Sequence, residues 1–117
     1  MENYKELIVW QRAMELVAAA YQIARMLPKW EQFALADQIR RSVVSIPSNI
    51  AEGYGRNSSK DYARFLSISR GSRYELETQL MLCVQLGYVD SRDIEKAIDL
   101  GEEVGKMLNV IISKLGF

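Results

Sequence analysis

Apolar residues recur with the period of an α-helix in four segments that together fill almost the whole sequence. No segment shows the alternation of a half-buried strand, and no Asn-Gly or Asp-Gly pair marks a hairpin. With 117 residues, the chain is long enough to bury one hydrophobic core. The pattern therefore predicts an all-α fold and a single domain over residues 1–117.

Helix-breaking and capping residues divide the sequence into four helices. The first covers about residues 7–27 and ends at Pro28. The second covers about residues 33–54, and the third follows an N-cap at Ser58 and reaches about residue 86. The fourth begins at Asp90 or Ser91. Because the connections are short, we predict an antiparallel up-down-up-down four-helix bundle.

The second helix contains the segment SIPSNIAEGYGR, residues 45–56, which combines helical spacing with a proline. The apolar period is kept on both sides of Pro47, which predicts a helix kinked at Pro47 rather than one that stops there. Gly53 and Gly55 are expected to end this helix by entering the left-handed region. Since a helix C-terminus has the wrong polarity for phosphate, Gly53-Tyr54-Gly55 does not predict a phosphate-binding loop.

Residue composition excludes most catalytic arrangements. The sequence has no histidine and one cysteine, so Ser-His-Asp and Cys-His sites, His-ligated zinc and an internal disulfide are all impossible. A carboxylate-metal enzyme would require Glu52 to converge with Glu75 or Glu77, and the paired Glu-x-x-His motif of di-metal bundles is absent. We therefore predict a non-enzymatic protein with no cofactor and no metal site. Asn49 and Glu52 are expected to bond to backbone or neighbouring side chains near Pro47.

The sequence also lacks targeting signals. No apolar run approaches the roughly 18 residues that cross a bilayer, and MENYKELIVW does not have the features of a signal peptide. With one cysteine, the default expectation is a cytoplasmic protein without a membrane partner.

Charge is segregated along the chain although the net charge is zero. Residues 40–73 contain seven basic and two acidic residues, whereas residues 90–103 contain six acidic and two basic ones. Three explanations stay open: the basic region holds phosphates, the two regions pair between subunits in a head-to-tail ring, or the charges are solvated surface. For the first, the candidate nucleic-acid-binding residues are Arg40, Arg41, Arg56, Lys60 and Arg64.

Three further features concern packing. The first helix carries a second apolar strip, which indicates either a deeply buried helix or a subunit contact, formed by Trp10, Met14, Val17 and Tyr21. Arg73 falls within the core stripe of the third helix, and we expect its stem to lie on the core and its charge to pair outward with Glu77. Gly101 and Gly105, one turn apart, favour a close helix crossing.

A resemblance to a known family covers nearly the whole chain. It is carried by Leu27-Pro28, Glu31, Phe33, Leu35, Gln38-Ile39-Arg40-Arg41, the run Ser45-Ile46-Pro47-Ser48-Asn49-Ile50-Ala51-Glu52-Gly53, Arg64-Phe65-Leu66, Gly71-Ser72 and Glu75-Leu76-Glu77-Thr78-Gln79-Leu80. On these residues the sequence resembles the four-helix-bundle proteins encoded within intervening sequences of bacterial large-subunit ribosomal RNA genes. That family is related in fold to the accessory variability determinant (Avd) proteins of diversity-generating retroelements.

The resemblance implies a small bundle that forms a cyclic homopentamer and has no catalysis. Avd proteins bind a reverse transcriptase and nucleic acid through basic surfaces, so the resemblance also implies a reverse transcriptase and RNA or DNA as partners. The leading expectation is an oligomeric helical adaptor that binds these partners through its basic helix two–three region. The alternative is a purely structural ring protein that binds no nucleic acid.

Overall fold

The protein, described over residues 3–117 by a computed structural model, consists of helices joined by short connections. The four α-helices are α1 (Ile8–Met26), α2 (Leu35–Tyr54), α3 (Ser59–Gln85) and α4 (Ser91–Lys114). Two short 3-10 helices, Tyr4–Glu6 and Lys29–Glu31, precede α1 and α2. Within residues 3–117 there is no β-strand, which confirms the predicted all-α class.

The helices form an elongated bundle of 43 × 23 × 22 Å. Consecutive helices pack against each other and α4 returns to α1, whereas the diagonal pairs have no Cα atoms within 8 Å in the described range. This arrangement is the predicted antiparallel four-helix bundle. None of the helices in residues 3–117 has both the length and the apolar character that crossing a membrane requires.

The hydrophobic core follows the predicted apolar stripes. It includes side chains that are less than 2 % exposed and come from every helix: Leu16, Ile39, Val43, Ile46, Ile50, Leu66, Leu80, Cys83, Val104 and Leu108. Each helix contributes one face at intervals of three and four residues, so burial of these stripes against one another specifies the bundle. α2 continues without interruption through Pro47, which is itself buried. The kink at Pro47 stays a prediction.

Helix ends agree with the sequence in most places and differ at α2. The Ser58 hydroxyl accepts a hydrogen bond from the Asp61 amide at 3.1 Å, and the predicted cap of α3 is confirmed. At the start of α4, Asp90 and Asp93 form a reciprocal capping box. α2 begins two residues later than expected, and Phe33, 96 % exposed, lies outside it.

The expected role of Gly53 and Gly55 is wrong in its mechanism. Neither has a positive φ angle, and Gly55 has φ −79°, within the right-handed region. Gly53 is a buried residue inside α2, where a Cβ would lie 2.7 Å from the Cβ of Phe65 on α3. Gly53 therefore serves the close approach of α2 to α3 rather than the end of the helix.

Candidate nucleic-acid interface

The connection between α2 and α3 brings together three of the five predicted phosphate-binding residues: Arg56, Lys60 and Arg64, named here the basic tip. The guanidinium carbons of Arg56 and Arg64 lie 4.6 and 4.5 Å from the ring centroid of Phe65. Phe65 is buried, with 7 % of its surface exposed, so its ring is a fixed platform. Cation–π attraction thus holds two guanidinium groups against one ring.

The two arginines of the basic tip form only weak ion pairs with neighbouring carboxylates. Arg56 lies 3.8 Å from Glu52, and Arg64 lies 3.4 Å from Asp61, and all four side chains are substantially exposed. Exposed pairs of this kind contribute little free energy, about 0–1 kcal/mol each. Lys60 is exposed on the first turn of α3, where the positive end of the helix dipole adds to its charge. The cations of the basic tip can therefore donate hydrogen bonds to phosphate oxygens at a low cost in free energy.

The other two predicted phosphate-binding residues lie elsewhere. Arg40 is half-buried, and its Nη2 donates to the Gln32 carbonyl at 2.7 Å, which ties α2 to the connection that precedes it. Arg41 is 81 % exposed and donates to Asp37 at 3.0 Å. Arg41 lies thirteen positions before Tyr54, the last residue of α2, about 20 Å at the helical rise, and Arg56 follows that helix end. The five residues thus do not form one cluster.

A seam of hydrogen bonds joins α2 to α3 between these two basic regions. The hydroxyls of Ser45 and Ser72 lie 2.8 Å apart. Asn49 donates to the carbonyl and the hydroxyl of Ser45 at 2.8 and 2.9 Å, and the buried Ser69 donates to the Ile46 carbonyl at 2.9 Å. The expectation that Asn49 bonds to backbone and neighbouring side chains near Pro47 is confirmed. Ser45 therefore links the two helices through Ser72, and Asn49 supports Ser45 from the same helix.

Further along the seam an open groove of about 190 Å³ lies between α2 and α3. Its lining is polar throughout and consists of Gln38, Arg41, Ser42, Ser45, Ser72, Glu75 and Gln79. Ser42 and Gln79 form its floor, 3 % and 5 % exposed, with the Ser42 hydroxyl 2.7 Å from the Gln79 Oε1. Helical periodicity did not identify Gln79 as a groove residue, because its position on the groove floor depends on how α2 and α3 are paired.

The carboxylates of the middle of the chain face separate partners. Glu52 lies beside Arg56, Glu77 pairs with Arg73 at 3.2 Å, and Glu75 lines the groove. Over residues 3–117 no three acidic or cysteine side chains converge as metal ligands would. The convergence that a carboxylate-metal site needs is therefore missing from the described part of the chain.

Arg73 is accommodated by the two glycines of α4. Its side chain is 12 % exposed and pairs with Glu77, as predicted. A Cβ at Gly101 or Gly105 would meet the Arg73 side chain at 3.6 or 3.5 Å, so the guanidinium lies over both glycines. The Arg73 Nε is buried and has no hydrogen-bond partner among the described residues. The two glycines thus lie beneath the mostly buried Arg73 side chain, and the close helix crossing expected from them stays a prediction.

The predicted interface strip on α1 borders an apolar groove of about 330 Å³. Trp10, Met14 and Val17 line it on one side, with Val44 and Pro47 of α2 on the other. Met14 and Val44 are 45 % and 40 % exposed, whereas Trp10 and Val17 are partly buried against the core. Tyr21, the fourth predicted residue, is half-buried and packs against the core.

Fold and site together define a class of protein: a small antiparallel helical bundle with a polar α2–α3 seam and a cluster of arginines at one turn. The chain belongs to the 23S rRNA-intervening sequence protein family, whose model matches residues 5–110. Among solved structures it is similar to a protein of unknown function from the S23 ribosomal protein family of Bacteroides thetaiotaomicron VPI-5482. That similarity has a TM-score of 0.83 at 26 % sequence identity and covers 90 % of this chain and 98 % of the other.

No match is found among curated proteins. The family matches confirm the resemblance to intervening-sequence proteins. The relationship to Avd proteins stays a prediction.

Proposed function

We propose that this protein is a non-enzymatic adaptor that binds nucleic acid by its phosphate backbone at the basic tip. The observation that carries the proposal is the pair of guanidinium groups held on the Phe65 ring, 4.6 and 4.5 Å from its centroid. Guanidinium groups bind phosphate through paired N–H donors, and stacking lowers the entropy lost when they do so. Lys60 adds a third cation one turn before Arg64 on α3.

The proposal is tested by fluorescence anisotropy with single- and double-stranded RNA and DNA at two salt concentrations. The variant R56Q/K60Q/R64Q removes the three cations of the basic tip. A matched control, R92Q/K96Q/K106Q, removes the same charge from exposed positions on α4. We expect salt-sensitive binding by the wild type and the control, and at least a tenfold weaker affinity for the tip variant. Absence of binding, binding that ignores salt, or equal losses in both variants would contradict the proposal.

A second proposed role, assembly into a homo-oligomer, is supported by the apolar groove between α1 and α2. Partly exposed apolar side chains such as Met14 and Val44 are typical of surfaces that subunits cover. By likeness to its family, the expected assembly is a cyclic pentamer. Light scattering on the wild type and on M14E tests this role, because the substituted side chain is exposed in the monomer and does not disturb its core.

If the likeness to Avd proteins holds, the protein partner of the ring is a reverse transcriptase. The basic tip would then contact nucleic acid while other surfaces of the ring contact the enzyme. Co-purification of the two proteins, with and without nuclease treatment, separates direct binding from binding through nucleic acid. The alternative, a structural ring without nucleic-acid binding, is favoured if the oligomer forms and no probe binds.

A further inference from the structure

The polar groove between α2 and α3 differs in chemistry from the basic tip. Its lining contains one basic and one acidic residue, Arg41 and Glu75, so the groove carries no net formal charge, unlike the basic tip. The remaining lining consists of three serine hydroxyls and two glutamine amides. Because a carboxylate repels phosphate, such a groove favours a neutral group that both donates and accepts hydrogen bonds.

Gln79 gives the groove an unused hydrogen-bonding group. The residue is 5 % exposed, lines the groove, and accepts from the Ser42 hydroxyl through Oε1. Its Nε2 has no hydrogen-bond partner among residues 3–117 and is not one of the fully buried unpaired atoms, so this donor faces the open groove. A donor that faces the groove is satisfied by solvent or by a ligand, and a ligand hydroxyl that also finds an acceptor in the groove replaces that solvent.

The groove lies in line with the basic tip along the same helix pair. Ser72 follows Arg64 by eight positions on α3, about 12 Å, and Ser45 lies nine positions before Tyr54, the last residue of α2, about 14 Å. A stacked strand advances about 3.4 Å per nucleotide, so a strand held at the tip reaches the groove within about four or five nucleotides.

We propose that the groove binds the ribose 2′-hydroxyl of an RNA strand whose phosphates lie on the basic tip, and that the protein therefore prefers RNA to DNA. This inference rests on the proposed nucleic-acid function. The 2′-hydroxyl accepts from the Gln79 amide and donates to a serine or the Glu75 carboxylate, and DNA lacks it. One additional net hydrogen bond corresponds to a preference of about threefold to tenfold.

The test compares a single-stranded RNA with the deoxyuridine-containing DNA of the same sequence, by anisotropy. The variant Q79M keeps side-chain length and burial, and Ser42 retains the Ile39 carbonyl as acceptor at 3.1 Å. We expect the wild type to prefer RNA about threefold to tenfold, and Q79M to lose this preference through weaker RNA binding alone. The salt dependence and the affinity for DNA should not change. The exposed substitution Q85M, also on α3, serves as the control and should behave as wild type.

If Q79M does not fold, S72A provides the same comparison, since Ser45 still has Asn49 as a partner at 2.9 Å. Equal binding of RNA and DNA by the wild type overturns the groove proposal and leaves the basic tip intact, provided that R56Q/K60Q/R64Q still loses affinity. Equal losses for RNA and DNA in Q79M or S72A also overturn it. Absence of any binding overturns both proposals.

Discussion

Gly53→Ala is predicted to destabilise the bundle, although alanine is the better helix former. The added Cβ would lie 2.7 Å from the Cβ of Phe65 and 3.1 Å from Cδ1 of Tyr62. Since the Phe65 Cβ is attached directly to the α3 backbone, no rotamer change can relieve this contact. α2 and α3 must therefore move apart at this contact.

The magnitude follows from two opposing effects. Overpacking of a close helix contact costs about 1–3 kcal/mol. Replacing glycine with alanine inside a helix stabilises the helix by up to about 1 kcal/mol. The expected net loss is about 1–2 kcal/mol in the free energy of unfolding, which for a domain of this size lowers Tm by about 4–8 °C.

Thermal and urea unfolding followed by circular dichroism measure this change. The matched control is Gly105→Ala, also inside a helix, where the new Cβ would meet the Arg73 side chain at 3.5 Å, an ordinary contact. That variant should be more stable than wild type by about 0.5–1 kcal/mol. A Gly53→Ala protein as stable as the wild type would refute the close approach of α2 to α3.

Four further outcomes are expected. Arg73→Met should leave the free energy of unfolding unchanged or raise it by about 1 kcal/mol. Glu77→Gln should lower it by about 1–2 kcal/mol, because the mostly buried Arg73 guanidinium then lacks its partner. Urea unfolding measures both changes. Arg40→Gln should lower stability by about 1 kcal/mol and leave nucleic-acid affinity unchanged, since its guanidinium bonds to backbone. Burial raises the pKa of the Cys83 thiol from 9.0 to about 11. The folded state therefore keeps the thiol proton to a higher pH than the unfolded state does. The free energy of unfolding is unaffected by this thiol below pH 9 and falls by about 2 kcal/mol as the pH rises to 11. Urea titrations of Cys83→Ala should not show this loss. Met14→Glu should reduce the mass measured by light scattering to that of a monomer while its circular dichroism spectrum stays helical.

Local signals explain how much of the fold was predictable. Helical periods, the stop at Pro28 and the cap at Ser58 depend on neighbours within a few residues, so the bundle followed from the sequence. Gly53 was misassigned because a close helix contact and a helix end both favour glycine. Only the position of Phe65 on α3 distinguishes these two causes.

The candidate site was predictable only in part, for the same reason. Arg56, Lys60 and Arg64 flank one turn, and their grouping needs no long-range information. Arg40 looked equivalent in the charge pattern, but its partner Gln32 depends on how the preceding connection folds back. Gln79 depends on the pairing of α2 with α3, which periodicity does not encode.

The most direct test of phosphate binding at the basic tip is the slope of log affinity against log salt concentration for a single-stranded RNA. Each phosphate contact contributes about 0.7 to this slope. We predict that R56Q/K60Q/R64Q reduces its magnitude by about 2, and that R92Q/K96Q/K106Q leaves it unchanged. Equal slopes for the wild type and the tip variant would contradict the account.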